Sequence, residues 1–252
     1  MSPTAALVLL AAGSGTRTGL AGNKVFAALG GRSVLGWSLS ATRDDPGIGP
    51  VVLVVRAEDV GLAARVLNEE DAGRRVRVVA GGPTRHRSEW NALQALAGEI
   101  RDGRVDVVAI HDAARPLAPS ALFAEVVASA RENGGAVPGR VQPAVLERPN
   151  LIPYEGDAVV VQTPQAFLAE PLLAAHEAAA RAGFDGSDTA ACLERFSPQT
   201  QLRYVHGAAA NLKITFAEDL ALAEALLVGG VSSGGRERKD GEVLGVADPP
   251  TG

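Results

Sequence analysis

Arg17, Lys24 and Lys213 are the residues best placed to do chemistry in this chain, and their surroundings suggest chemistry on phosphate. Only three of the 24 basic residues are lysine, and two of those three lie in motifs suited to an anion. Lys24 closes a run that begins Ala11-Ala12-Gly13-Ser14-Gly15-Thr16-Arg17 and passes through Asn23. Lys213 sits in Asn211-Leu212-Lys213-Ile214-Thr215, while Lys239 lies in a polar tail. Arginine presents a planar fork, whereas lysine is a compact point charge that fits between phosphate oxygens. Two familiar phosphate loops do not match. A dinucleotide fingerprint needs a third glycine where Thr18 stands, and a helix opening at once rather than at Ser33. A P-loop needs Gly-Lys-Ser/Thr, but Lys24 stands between Asn23 and Val25. What remains is a long loop in which Gly13 and Gly15 let backbone N–H groups approach an anion, with Arg17 and Lys24 reaching in.

Several other short segments combine polar and glycine residues after apolar runs. Gly81-Gly82-Pro83-Thr84-Arg85-His86-Arg87-Ser88 follows one such run and His111-Asp112-Ala113-Ala114-Arg115-Pro116 another. Gln162-Thr163-Pro164-Gln165 and Ser187-Asp188 come later. Each has a plainer reading: Asp112 as a turn cap, Arg115-Pro116 as a surface turn, Thr163-Pro164 as a chain director and Asp188 as a helix N-cap. His111 reads as a packed loop residue. His86, His176 and His206 have no partners at ligand spacing in the sequence, and the single cysteine, Cys192, reads as a helical core residue.

The elements that must position these residues are legible from patterning. Ala5–Leu10, Val51–Val55, Val76–Val79 and Val105–Ile110 are short, mostly β-branched apolar runs, as expected of buried strands. Helical patterns lie between and after them, at Ser33–Thr42, Asp59–Glu69, Ser88–Leu96 and Ser120–Arg131, then at Glu170–Arg181, Asp188–Arg195 and Phe216–Leu227. Thr215 with Glu218 suggests a capping box for the last. Strands alternating with helices imply an α/β fold with a doubly wound, mostly parallel sheet, whose ligands gather at the carboxyl ends of the strands. Pro138–Ala158 carries four prolines and reads as a protruding arm or edge hairpin rather than an internal strand. Its apolar residues Val141, Val145, Leu146, Leu151 and Ile152 call for a partner surface. From Gly229 onward the composition is that of a disordered tail, leaving residues 1–228 as one domain with an arm at about 138–160.

At 252 residues the chain can bury a substantial core. A net charge of −5 and a pI near 5.5 argue against a general nucleic-acid or membrane-surface binder. No apolar run is long enough to span a bilayer, and the expected location is the cytoplasm. One cysteine excludes an intramolecular disulfide and a multi-cysteine zinc site.

Taken in order from Ala5 to Leu227, the quoted segments resemble the 2-C-methyl-D-erythritol 4-phosphate cytidylyltransferase family of the non-mevalonate isoprenoid pathway, with ribitol-5-phosphate cytidylyltransferases as close relatives. The resemblance implies a Rossmann-like nucleotidyltransferase fold, transfer of CMP from CTP to a polyol phosphate, Mg2+ and a homodimer. It implies that Arg17, Lys24 and Lys213 stabilise the charge on the reacting phosphorus. Ala11, Ala12, Gly13, Gly15, Gly82 and Ser88 would hold the nucleotide. Asp112, Arg115, Thr163 and Asp188 would line the acceptor side, Asp112 nearest the metal. Departures from the family pattern cluster on that side. The arm lacks the usual Asp-Thr-Ile/Met-Lys segment, and Glu155 falls where relatives carry a phosphate-facing Arg, with Arg140 and Arg148 as possible substitutes. Asn23 replaces a usual Pro and Pro83 a frequent acidic residue. Another alditol phosphate or a phosphonate is the alternative acceptor, and a nucleotide-binding paralogue without turnover the alternative class, although the retained Arg17, Lys24 and Lys213 count against that.

Overall fold

The apolar run after Pro3 forms strand β1 (Thr4–Leu10), buried through its centre as an unbroken run requires. This computed structural model describes residues 3–13, 22–70, 76–142, 145–147, 152–153, 158–186 and 188–229. A 3-10 turn (Lys24–Phe26), the short strands β2 (Ala28–Leu29) and β3 (Arg32–Ser33), and helix α1 (Val34–Ser40) come next. Then β4 (Ile48–Val55), α2 (Val60–Glu70), β5 (Val76–Ala80), α3 (Arg85–Arg101), β6 (Val105–Asp112) and α4 (Ser120–Asn133) alternate as expected. The chain continues through β7 (Gly134–Gln142), β8 (Leu146–Glu147), β9 (Ile152–Pro153), β10 (Ala158–Val161) and β11 (Gln165–Leu168). It ends with α5 (Ala169–Ala182), α6 (Thr189–Phe196), β12 (Gln201–His206) and α7 (Ala217–Val228).

Strands β6, β1, β4 and β5 are adjacent and parallel, and β11 joins β6 antiparallel to start the other half of an eight-stranded sheet. The alternation of side chains along β1 divides the core into two layers. Ala5, Leu7 and Leu9 pack with Leu35, Leu39, Val66 and Phe123, from α1, α2 and α4. Ala6 and Val8 pack with Leu93, Leu96, Leu172 and Leu193, from α3, α5 and α6. Helices on both faces give the doubly wound arrangement, and a third, smaller cluster seats α7 through Ala223 against Leu29, Val34 and Ile214. No described helix is long and apolar enough to cross a membrane.

Three expectations need correction. Pro138 lies inside β7 with neighbours on both flanks. Its carbonyl accepts from Gln162 N at 2.7 Å, and the next carbonyl, of Gly139, accepts from Gly207 N at 2.7 Å. Proline has no N–H to return to Gln162, so the Gln165 side-chain amide donates to the Gln162 carbonyl instead, at 3.3 Å. Helix α3 starts three residues before the expected Ser88, because Thr84 accepts from Arg87 N and so admits a polar first turn. In α7 the acidic cap is Asp219, not Glu218: its Oδ2 accepts from the backbone N–H groups of Thr215 and Phe216 at 2.7 and 2.8 Å. Beyond Gly139, β7 pairs among the described residues with β10 alone, and Val141, Val160 and Val161 are exposed. The tail from residue 230 lies outside the described residues.

Candidate active site

The carboxyl ends of β1, β5 and β6 open into one cleft of about 370 Å³. Backbone bonds beyond the strand ends hold its floor: Ala11 N donates to Val54 O, Gly81 N to Val55 O and Ala113 N to Leu10 O, at 2.7 to 3.0 Å. The first wall is Ala11-Ala12-Gly13 from β1. The second is Gly82-Pro83-Thr84-Arg85 with Ser88, from the turn into α3. Gly81 is required where these walls meet, since a Cβ there would stand 2.5 Å from Ala12 Cβ. Lys24, Asp112 and Lys213 complete the lining from three further segments.

Asn23 explains how the Lys24 turn is held. Its side chain donates to Ala11 O at 2.7 Å and to Asp59 Oδ2 at 3.0 Å, and its Oδ1 accepts from Val25 N. Asp59 is in turn clamped by Arg56, through Nε and Nη2. The loop carrying Lys24 is therefore stitched to the end of β1.

Asp112 is the centre of the charge arrangement. Its Oδ2 accepts from Lys213 Nζ at 2.7 Å, and its Oδ1 lies 3.7 Å from Arg85 Nη2. Burial alone would raise the Asp112 carboxyl, but Lys213 and then Arg85 outweigh it and lower it to about 2. Three cationic side chains, Lys24, Arg85 and Lys213, and one carboxylate, Asp112, are among the described residues that line the cleft, a lining suited to an anion.

Behind Asp112, a set of hydrogen bonds joins segments that are far apart in sequence. Asp112 N donates to Thr163 Oγ1 at 3.0 Å. That hydroxyl donates to His111 Nδ1 at 3.1 Å, and His111 Nε2 donates to Arg115 O at 3.2 Å. Burial lowers His111 to about 4, so the ring is neutral, and these partners assign its proton to Nε2. Arg115 Nη1 donates to Asn211 O at 2.7 Å, Asn211 Nδ2 to Thr163 O at 2.9 Å, and Ile214 N to Ala114 O at 2.8 Å. The Gln162 amide adds bonds to Ala208 and Asn211. Residues 208–214 are thus bound to the Asp112 and Thr163 segments, and that placement delivers Lys213.

The sequence profile of 2-C-methyl-D-erythritol 4-phosphate cytidylyltransferases matches residues 5–229. The chain belongs to this family. It is 36% identical over 223 residues to the 2-C-methyl-D-erythritol 4-phosphate cytidylyltransferase of Geobacter metallireducens, covering 86% of this chain and 94% of that protein. It is 34% identical over 225 residues to the Geobacillus kaustophilus enzyme of the same name, covering 87% and 95%. Among solved structures, it superposes on the 4-diphosphocytidyl-2C-methyl-D-erythritol synthase of Anaerococcus prevotii with a TM-score of 0.75 at 27% identity, covering 90% and 96% of the two chains. The Thermus thermophilus 2-C-methyl-D-erythritol 4-phosphate cytidylyltransferase gives 0.65 at 28%, covering 88% and 98%.

For a cytidylyltransferase of this family, the candidate residues divide clearly. Ala11, Ala12, Gly13, Lys24, Gly82, Ser88, Asp112 and Lys213 line the cleft together. Gly15, Arg17, Arg148 and Glu155 lie outside the described residues. Arg115, Thr163 and Asp188 do not line it. Arg115 is turned to the Asn211 carbonyl and Thr163 to the Asp112 backbone, while Asp188 caps α6 by accepting from Ala191 N at 2.8 Å. Arg140 is exposed on β7. Among the described residues, the arginine that lines the cleft is Arg85, which sequence reading passed over inside the segment chosen for Gly82 and Ser88. No local signal distinguishes it from Arg115, since both lie in polar segments after a strand.

Proposed function

We propose that the cleft transfers CMP from CTP to 2-C-methyl-D-erythritol 4-phosphate and releases pyrophosphate. The observation that carries the reading is the gathering of Lys24, Arg85 and Lys213 in one cleft at the strand ends, the last two against the Asp112 carboxylate, in a chain of this family. An oxygen of the acceptor phosphate attacks the α-phosphorus of CTP, and the bond from that phosphorus to the β-phosphate oxygen breaks as it forms. The electron pair leaves with pyrophosphate. A phosphate nucleophile is already ionised near neutrality, so the protein need not supply a base. Its work is alignment and stabilisation of charge on the α-phosphate oxygens. In this reading Arg17, Lys24 and Lys213 supply that stabilisation. Ala11, Ala12, Gly82 and Ser88 hold cytosine and ribose, the backbone of Gly13 and Gly15 faces the triphosphate, and Asp112 lies toward the acceptor.

A divalent cation fits this cleft. Asp112 is the one carboxylate among the described residues that line it, and it is held ionised. Mg2+ commonly binds through one or two carboxylates with substrate phosphates and waters supplying the rest. Asp112 would hold it, and the metal would neutralise charge on the phosphate oxygens. We further propose that the β7–β10 extension, with Val141 57%, Val160 51% and Val161 52% exposed, packs against a second copy of the chain in a two-fold dimer.

Pyrophosphate release tests the reading, measured with CTP, ATP and GTP against 2-C-methyl-D-erythritol 4-phosphate and ribitol 5-phosphate. CTP with the methylerythritol acceptor is expected to be the best pair by kcat/KM. Turnover confined to ribitol 5-phosphate would reassign the acceptor, and none with CTP would sink the reading.

A further inference from the structure

Under the cleft wall lies a group of buried ionisable side chains that the proposed reaction does not use. Glu89, on α3, is 1% exposed. Its Oε1 accepts from Arg85 Nη1 and from Thr189 Oγ1, the latter at 2.9 Å, and Arg85 Nη1 also reaches Thr189 Oγ1 at 3.2 Å. Its Oε2 lies 3.4 Å from His176 Nε2. His176 Nδ1 lies 3.1 Å from Leu172 O, so both ring nitrogens face acceptors, as an imidazolium requires. Burial opposes that charge, but the neighbouring Cys192 and Glu89 raise His176 to about 9. His86 stacks on His176 with centroids 4.7 Å apart and planes within 11°. The donor atoms of His86, His176 and Cys192 come within 4.8 Å of one another. In-plane lone pairs on two stacked rings run nearly parallel and do not converge on one ion, so the arrangement serves charge pairing rather than metal binding.

We propose that Glu89 is a positioning residue that aims Arg85 at the phosphate oxygens of a bound substrate, a role that rests on the reading of the cleft given above. The carboxylate accepts from Thr189 at the same Oε1 that takes Arg85 and faces the buried His176 ring across 3.4 Å, so the Nη1 edge of Arg85 is fixed. The Nη2 edge points toward Asp112 Oδ1 at 3.7 Å, too far for a hydrogen bond, and is the edge available to a phosphate. Arg85 retains 29% side-chain exposure, and it lines the cleft. An arginine on a surface helix turn would otherwise sample many rotamers. A buried anion at i+4 holds it in one before substrate arrives.

The experiment is a double-mutant cycle on Arg85→Gln and Glu89→Gln, with inorganic phosphate as the titrated probe. Each single variant is expected to weaken phosphate binding by about ten-fold, and the double variant to be no weaker than Arg85→Gln alone, because Glu89 acts only through Arg85. Phosphate that binds Glu89→Gln or Arg85→Gln as tightly as wild type, or losses that multiply in the double variant, would overturn the proposal. If circular dichroism shows that Glu89→Gln does not fold, Glu89→Leu with His176→Leu removes both buried charges together and carries the same expectation. Turnover then identifies the phosphate: a raised KM for the methylerythritol acceptor alone assigns Arg85 to the acceptor, and a raised KM for CTP alone assigns it to the triphosphate. A wild type inactive with CTP would sink the functional reading, while the phosphate cycle would still decide the role of Glu89.

Discussion

Lys213 and Asp112 form a close ion pair in the cleft, 2.7 Å apart, and in the proposed reaction a substrate phosphate would compete for the same ammonium. In the proposed reaction that exchange would keep Lys213 oriented before substrate binds and release its charge to the transition state. Lys213→Ala is therefore expected to lower kcat by about 100-fold with little change in the KM for CTP. Steady-state kinetics would show a rise in KM alone if Lys213 only binds ground-state nucleotide. The two fully buried histidines set opposite limits on stability. His111, lowered to about 4 from 6.5, gains no proton in the folded state as pH falls to 5, whereas the unfolded chain does, so stability falls from pH 6.5 toward 4. His176, raised to about 9, contributes stability that is complete below 6.5 and lost as pH rises through 9. Each limb is worth at most about 3 kcal/mol. Urea unfolding of His111→Gln is expected to lack the acid limb, and of His176→Gln the alkaline limb.

At the scale of elements, the loop that carries Lys213 depends on side chains from other segments. Arg115→Ala would remove the bond to Asn211 O and cost about 1–3 kcal/mol, the worth of a charge-assisted hydrogen bond. Faster amide exchange at residues 208–213 is expected, together with a lower kcat. Unchanged exchange there would show that Gln162 and Asn211 suffice. The strands of the parallel half were legible because unbroken β-branched runs have few other uses. Strands β7, β10, β11 and β12 were not. Gly134, Gly135 and Pro138 make β7 look like a turn, and only its neighbours β11 and β12 make an extended glycine-rich segment worth ordering. A Cβ on Gly135 would stand 2.6 Å from Leu202 Cδ2, so the same glycine that weakens the local signal is what lets β12 approach.

For the whole molecule, the exposed valines of the β7–β10 extension set the expected assembly. Light scattering of the wild type is expected to give twice the monomer mass. Val160→Asp should shift it toward monomer, since burying a charge at an apolar contact is costly. If the acceptor site needs the partner's arm, turnover should fall in parallel with the dimer fraction as protein concentration is lowered. Glu155 belongs to the same scale. As a carboxylate where the family resemblance implies a phosphate-facing Arg, it is expected to hold the acceptor KM high, and Glu155→Arg to lower it.

The amino-acid sequence by itself determined the parallel half of the sheet, the glycine-bearing wall at Ala11–Gly13 and the lysines at 24 and 213. These are local signals: residue type and spacing within one loop carry them. It could not show which arginine faces the cleft, because Arg85 and Arg115 sit in equally polar segments. Their fates are decided by Glu89, Thr189 and Asn211, partners 4, 104 and 96 residues away. His86, His176 and Cys192 carry no ligand spacing along the chain, yet α3, α5 and α6 pack them together behind the wall. Charge neutralisation in a buried interior is a property of three-dimensional neighbours, and only the tertiary structure assigns those.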